Sequence, residues 1–246
     1  MSYKGGHLAA LKYLFREYFG YLLFWAAFFF TSRLLFMAVN FRDTKSIAAA
    51  DYPGMLIHGL HMDLSMIGYL ALLCGLFFVV ISWIRPRLAK GVVAGVNLIF
   101  IVLLSVVVIS DAVLFGYWGF RMDATPLLYL KTPGEAAASL NLAQLILIPL
   151  LMVGYGLAWW FIYRKFVNKR TTVDARLPWW SILLISLNII PIRGGFGISP
   201  MNPGKAYFSK DAYTNQAIGY RDWETDRKST RLNSSHRSLS RMPSSA

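Results

Sequence analysis

Few side chains in this sequence can do chemistry, and several gather in one stretch: HGLHMDLSMIGYL, residues 58–70, holds His58, His61 and Asp63 ahead of the charge-free ALLCGLFFVVISW. Arg33 and Asp111 also interrupt apolar runs, and Arg121 and Asp123 follow in FRMDATP. Imidazoles beside carboxylates suggest a metal site, and His58 and His61 at i, i+3 share a helix face. Asp63 points elsewhere, however, and no HExxH-like spacing completes a ligand set, so metal is disfavoured. Arg33, Arg121 and His58 or His61 suit a phosphate or lipid headgroup as charge-assisted donors. Ordinary packing pairs at a membrane interface are the competing account, and both stay open.

Other chemistry is thinly represented. The single cysteine, Cys74, sits in an apolar run and offers neither a disulfide framework nor a thiolate metal site. RGGFG at 193–197 lacks the spacing of a phosphate-binding Walker loop and no strand precedes it. The chain of 246 residues carries a net charge of +13, yet its basic residues fall in short clusters between apolar runs, with no basic face or base-stacking motif, which excludes a nucleic-acid module.

The elements that must position these residues are membrane helices. Hydrophobic residues make up 56% of the chain and mean hydropathy is +0.47, values outside the range of a soluble domain. A spanning helix needs roughly 20 apolar residues. Five stretches qualify: Tyr18 to Val39, interrupted only by Arg33; Leu64 to Ile84; Gly91 to Ser110; Leu140 to Tyr163; and the shortest, Leu177 to Ile192. The first is too long for the apolar region of a cleaved signal peptide and is expected to remain as an anchor. The expected fold is therefore an all-α bundle of about five transmembrane helices over residues 1–192.

Orientation follows from loop lysines and arginines. With the N-terminus cytoplasmic, that side holds Lys4, Lys12, Arg16, Arg85, Arg87, Lys90, Arg164, Lys165, Lys169, Arg170 and Arg176, against Arg42, Lys45, Arg121 and Lys131 outside. Eleven against four predicts a multi-pass plasma-membrane protein with its C-terminus outside. Arg33, His58, His61, Asp63 and Asp111 then all fall near the outer interface, where lipid headgroups lie. In the outer loop, Thr125 before Pro126 and the capping-box pattern TPGE at 132–135 predict short interfacial helices. Residues 193–217, rich in glycine, proline and polar types, read as an extended extracellular linker.

Three strings, HGLHMDLSMIGYL, SDAVLFGYWGFRMDATPLLYLKTPGEAAAS and IRGGFGISPMNPGKAYFSKDAYTNQA, resemble the membrane region of the lipoteichoic acid synthase-like phosphoglycerol transferases of the sulfatase superfamily. The resemblance covers roughly residues 8–217. It implies five membrane helices, a linker and an external alkaline-phosphatase-like α/β domain, with a Thr or Ser nucleophile and a divalent metal, commonly manganese. Such an enzyme moves a phospho-alcohol from a membrane phospholipid through a covalent intermediate. None of its catalytic residues or metal ligands maps onto this sequence, so the chain is expected to be an anchor that ends before the catalytic domain and carries no cofactor itself. Residues 218–246, with seven serines, six basic and three acidic residues and no helical or strand period, read as a disordered, non-native tail. A stand-alone membrane scaffold is the alternative. A small transporter is a further one, although the spans have few mid-membrane ionisable groups and show no internal repeat.

Overall fold

The computed structural model describes residues 7–45, 47–122, 134, 141–168, 177–193, 209 and 212–218. All regular structure among them is helical, and four helices are long and apolar enough to cross a membrane. In chain order the elements are α1 (His7–Val39), α2 (Phe41–Thr44), a 3-10 turn (Ala49–Asp51), α3 (Tyr52–Ile84), α4 (Pro86–Trp118), α5 (Leu142–Ile162), a π-helical turn (Tyr163–Val167), α6 (Leu177–Ser186), α7 (Ile189–Arg193) and α8 (Ala212–Ile218). The protein is thus membrane-embedded.

Helices α1, α3 and α4 have 33 residues each, longer than the apolar windows in the sequence. At 1.5 Å per residue each is about 50 Å long, well beyond the ~30 Å hydrocarbon layer. Hydropathy marks where lipid contacts a helix, while the hydrogen-bond ladder continues until a residue stops it. Pro86 is one such stop: it keeps Arg85 out of the helical region (φ −145°, ψ 80°) between α3 and α4. Gly119 is another, closing α4 in the left-handed region at φ +70° with its N–H on the Phe115 carbonyl at 2.8 Å. Helix α5 starts at Asn141, whose side chain accepts from the Gln144 N–H at 2.8 Å while Gln144 Oε1 accepts from the Asn141 N–H at 3.2 Å.

The fifth predicted span is two short helices. Pro191 cannot donate to the Leu187 carbonyl, and the ladder is interrupted by a turn at 187–188 before α7 resumes. The broken element packs closely on α3 at Gly68 and Gly75, two turns apart on one face. A Cβ at Gly68 would lie 2.8 Å from Ile192 Cγ1, and one at Gly75 2.5 Å from Ile185 Cγ1. Ser65 Oγ donates to the Ile192 carbonyl at 3.0 Å. Buried Asn188 accepts from the Tyr18 hydroxyl at 2.6 Å and returns its amide to the Leu184 and Ile185 carbonyls.

The core is aromatic. Phe24, Trp25, Phe28 and Phe29 of α1 meet Trp159 and Tyr163, with edge-to-face rings such as Phe24–Trp159 at 5.4 Å and Phe28–Trp159 at 5.3 Å. Helix α5 leaves a lipid-suited face outward, with Ile146 and Leu150 each 63% exposed. Part of the expected extended linker is helical: α8 folds back onto α1, α2 and α3. The interfacial helices expected around Thr125 and 132–135, apart from Gly134, which is helical, and the tail after Ile218 lie outside the described residues.

Candidate functional site

Three long helices deliver their buried charges to one end of the bundle. Arg33 lies six residues before the end of α1, Asp63 eleven residues into α3 and Asp111 seven residues before the end of α4. Because α3 runs opposite to α1 and α4, these positions come level. Arg33 Nη2 donates to Asp63 Oδ2 at 2.7 Å, with both side chains largely buried. Gly59, one turn before Asp63, makes room: its missing Cβ is where the Arg33 guanidinium lies, with Nη2 at 2.5 Å and Nη1 at 2.7 Å from that position.

The second pair depends on the turn at Gly119. Its positive φ reverses the chain beyond α4, so that Arg121 Nε comes within 2.8 Å of Asp111 Oδ2 and the Met122 N–H donates to Asp111 Oδ1 at 2.7 Å. A carboxylate only 1% exposed thus has an ion pair and a backbone donor. The Arg121 guanidinium lies 4.0 Å from the Phe36 ring centroid, and its Nη1 reaches the Gln216 carbonyl at 3.5 Å.

Helix α8 fastens over this end. Tyr213 stacks on Phe36 at 6.3 Å and meets Phe115 edge-on at 5.5 Å, and its hydroxyl shares a 2.7 Å hydrogen bond with the Thr44 hydroxyl. Burial raises the Tyr213 hydroxyl above its ordinary pKa, while the Thr44 hydrogen bond acts the other way. Thr214 and Ala217 are fully buried, and Ser209 Oγ donates to Asp51 Oδ2 at 2.9 Å. Between the two ion pairs is a cavity of about 50 Å³ whose wall includes Ser32, Arg33, Asp63, Asp111, Arg121 and Ala217.

The predicted residues therefore separate. Arg33, Asp63, Asp111 and Arg121 converge on the cavity, whereas His58 is half-buried, His61 is exposed, and neither lines it. Asp123 lies outside the described residues. Among the described residues no group of three or more His, Cys, Asp or Glu is placed to hold a metal ion. Sequence reasoning missed Phe36, Gly59 and α8 as parts of the site. Gly59 carried a signal in hindsight, as a small residue one turn from a buried acid, but its partner is 26 positions away in another helix.

Chemically, the cavity presents two guanidinium groups and two carboxylates in a low-dielectric setting, neutral in sum and with both signs available. It can bind a group that exchanges for one member of a pair, and a phosphate oxygen matches a guanidinium as the carboxylate does. The chain matches no family model, no curated protein and no solved structure.

Proposed function

We propose that the chain is the membrane part of a lipoteichoic acid synthase-like phospho-alcohol transferase, anchoring an external catalytic domain and holding the phosphate of its donor phospholipid at the outer interface. The observation that carries this reading is the convergence of Arg33 and Arg121, each 6% exposed, on one small cavity at the end of the bundle where α8 is also fastened. A donor phosphate entering there displaces carboxylates from the guanidinium groups, and a lipid held by its phosphate is oriented for attack from outside. In this reading the plasma membrane is the location, the N-terminus is cytoplasmic, and a divalent metal belongs to the external domain.

A second reading has its own support: each arginine already has a carboxylate within 2.8 Å, as expected of clamps that fix helix packing in a scaffold. One experiment separates the two. In the gene product that carries the external domain, Arg121→Ala is assayed for transfer from bilayer-embedded phosphatidylglycerol and for hydrolysis of a small soluble phosphodiester, at equal amounts of folded protein. Donor holding predicts loss on the lipid substrate at least about tenfold greater than on the soluble one. Equal loss on both refutes donor holding and leaves the packing clamp.

A further inference from the structure

Towards the opposite end of the bundle lies a larger, partly open cavity of about 180 Å³, lined by α1, α3, α4, the π-helical turn and α6. One water needs only roughly 10–15 Å³, and apolar cavities of about 150 Å³ stay dry and accept hydrocarbon guests. The walls are mainly apolar, with Ala71, Phe78, Val93, Leu184 and Ile185 among them. Two hydroxyls on its wall are already hydrogen-bonded within the protein. The Tyr18 hydroxyl donates to Asn188 Oδ1 at 2.6 Å, and the Tyr21 hydroxyl to Asn97 Oδ1 at 3.0 Å. Such walls suit hydrocarbon better than water, which needs two to four polar partners.

The cavity reaches the end of the bundle at Glu17, Lys90 and Asn168. Around that end stand Arg85, Arg87, Arg164 and Lys165, all exposed, while Glu17 is held to Arg16 at 3.8 Å. Basic groups at a membrane surface attract anionic headgroups. We infer that this cavity is a binding site for one acyl chain of an anionic phospholipid, whose headgroup sits against Lys90 and the basic residues of the α3–α4 junction and the π-helical turn. The chain enters beside α6, so that lipid fills the wedge between the broken fifth element and the long helices. Nothing in this inference depends on the phosphate-holding role of the other end.

The test uses the purified chain in nanodiscs with two photoactivatable probes, phosphatidylglycerol and phosphatidylcholine, each with a diazirine at the end of one acyl chain. Cross-linked peptides are mapped by mass spectrometry. Phosphatidylglycerol adducts are expected on residues 71–78 and around Val93. Val93→Phe and Ala71→Leu, two independent ways of filling the cavity, are expected to lower them at least about tenfold, since each excluded methylene is worth about fourfold. Arg87→Gln with Lys90→Gln is expected to lower them about fivefold per charge removed. Adducts confined to outward positions such as Ile99 and Leu103, unchanged in both filling variants, overturn the site. Equal labelling of residues 71–78 by the phosphatidylcholine probe overturns the anionic assignment. The wild-type map alone decides the location if either filling variant fails to fold.

Discussion

Gly59→Ala is the smallest perturbation that reaches the Arg33–Asp63 pair without touching either charge. A Cβ at Gly59 would lie 2.5 Å from Arg33 Nη2 and 2.7 Å from Nη1, whereas ordinary contact begins at 3.4 Å. Arg33 Cζ is closer still, so the guanidinium must retreat by about 1 Å to reach ordinary contact. Its Nη2 is held 2.7 Å from Asp63 Oδ2 on the same helix as Gly59, so a retreat from the α3 surface tilts the bond out of line or pushes α1 away from α3. Losing a hydrogen bond between charged groups costs about 1.5–3 kcal/mol, which in a chain of this length lowers the midpoint by roughly 3–12 °C. The assay is thermal unfolding in a fixed detergent, run as a double-mutant cycle. In the Arg33→Met/Asp63→Leu background, where no pair remains to be displaced, Gly59→Ala is expected to change stability by less than about 0.5 kcal/mol, apart from any gain in helix propensity. An equal loss in both backgrounds would show that Gly59 serves backbone packing alone, and would refute the reasoning.

At the second pair, Arg121→Ala leaves Asp111 buried opposite an empty partner position and is expected to cost about 3–5 kcal/mol, whereas Arg121→Met/Asp111→Leu costs markedly less; chemical unfolding compares them. Asn141→Ala removes the capping box of α5 and is expected to cost about 1 kcal/mol, read as lower thermal stability with unchanged helical content. Tyr18→Phe and Asn188→Leu are expected to cost about 0.6–1.7 kcal/mol each and to be strongly non-additive, because they remove the same 2.6 Å bond. A reporter active only outside the cytoplasm is expected to be active when fused after Gln216 and inactive after Lys169; the reverse pattern overturns the orientation drawn from the eleven-to-four charge count.

Much of the architecture was legible because its causes are local. The four long apolar stretches announce helices by length and composition, since a backbone in hydrocarbon must satisfy its own hydrogen bonds. Pro86 marks the α3–α4 boundary through its missing N–H and fixed φ. Gly119 is less legible, because FGYWGF offers two glycines and only the second takes the positive φ. The fifth stretch, Leu177 to Ile192, was the shortest in the sequence, and its interruption beside Pro191 was not anticipated.

The sequence by itself determined that this is a helical membrane protein and that its ionisable residues cluster towards particular helix ends, because hydrophobic length and loop charge act residue by residue. Only the tertiary structure decided which of those residues meet. Arg33 and Asp63 are 30 positions apart, and their pairing depends on how α1 and α3 are rotated about their axes, which the Phe24–Phe29 aromatic block and the close approach at Gly59 set together. Rotation likewise left His58 and His61 off the cavity wall, although they stand only two to five residues from Asp63. The return of α8 over Phe36 and Arg121 follows from a surface assembled by α1, α2 and α4 that no single segment possesses. Helix formation is written in neighbouring residues; the register between helices is a property of packed side chains contributed by distant ones.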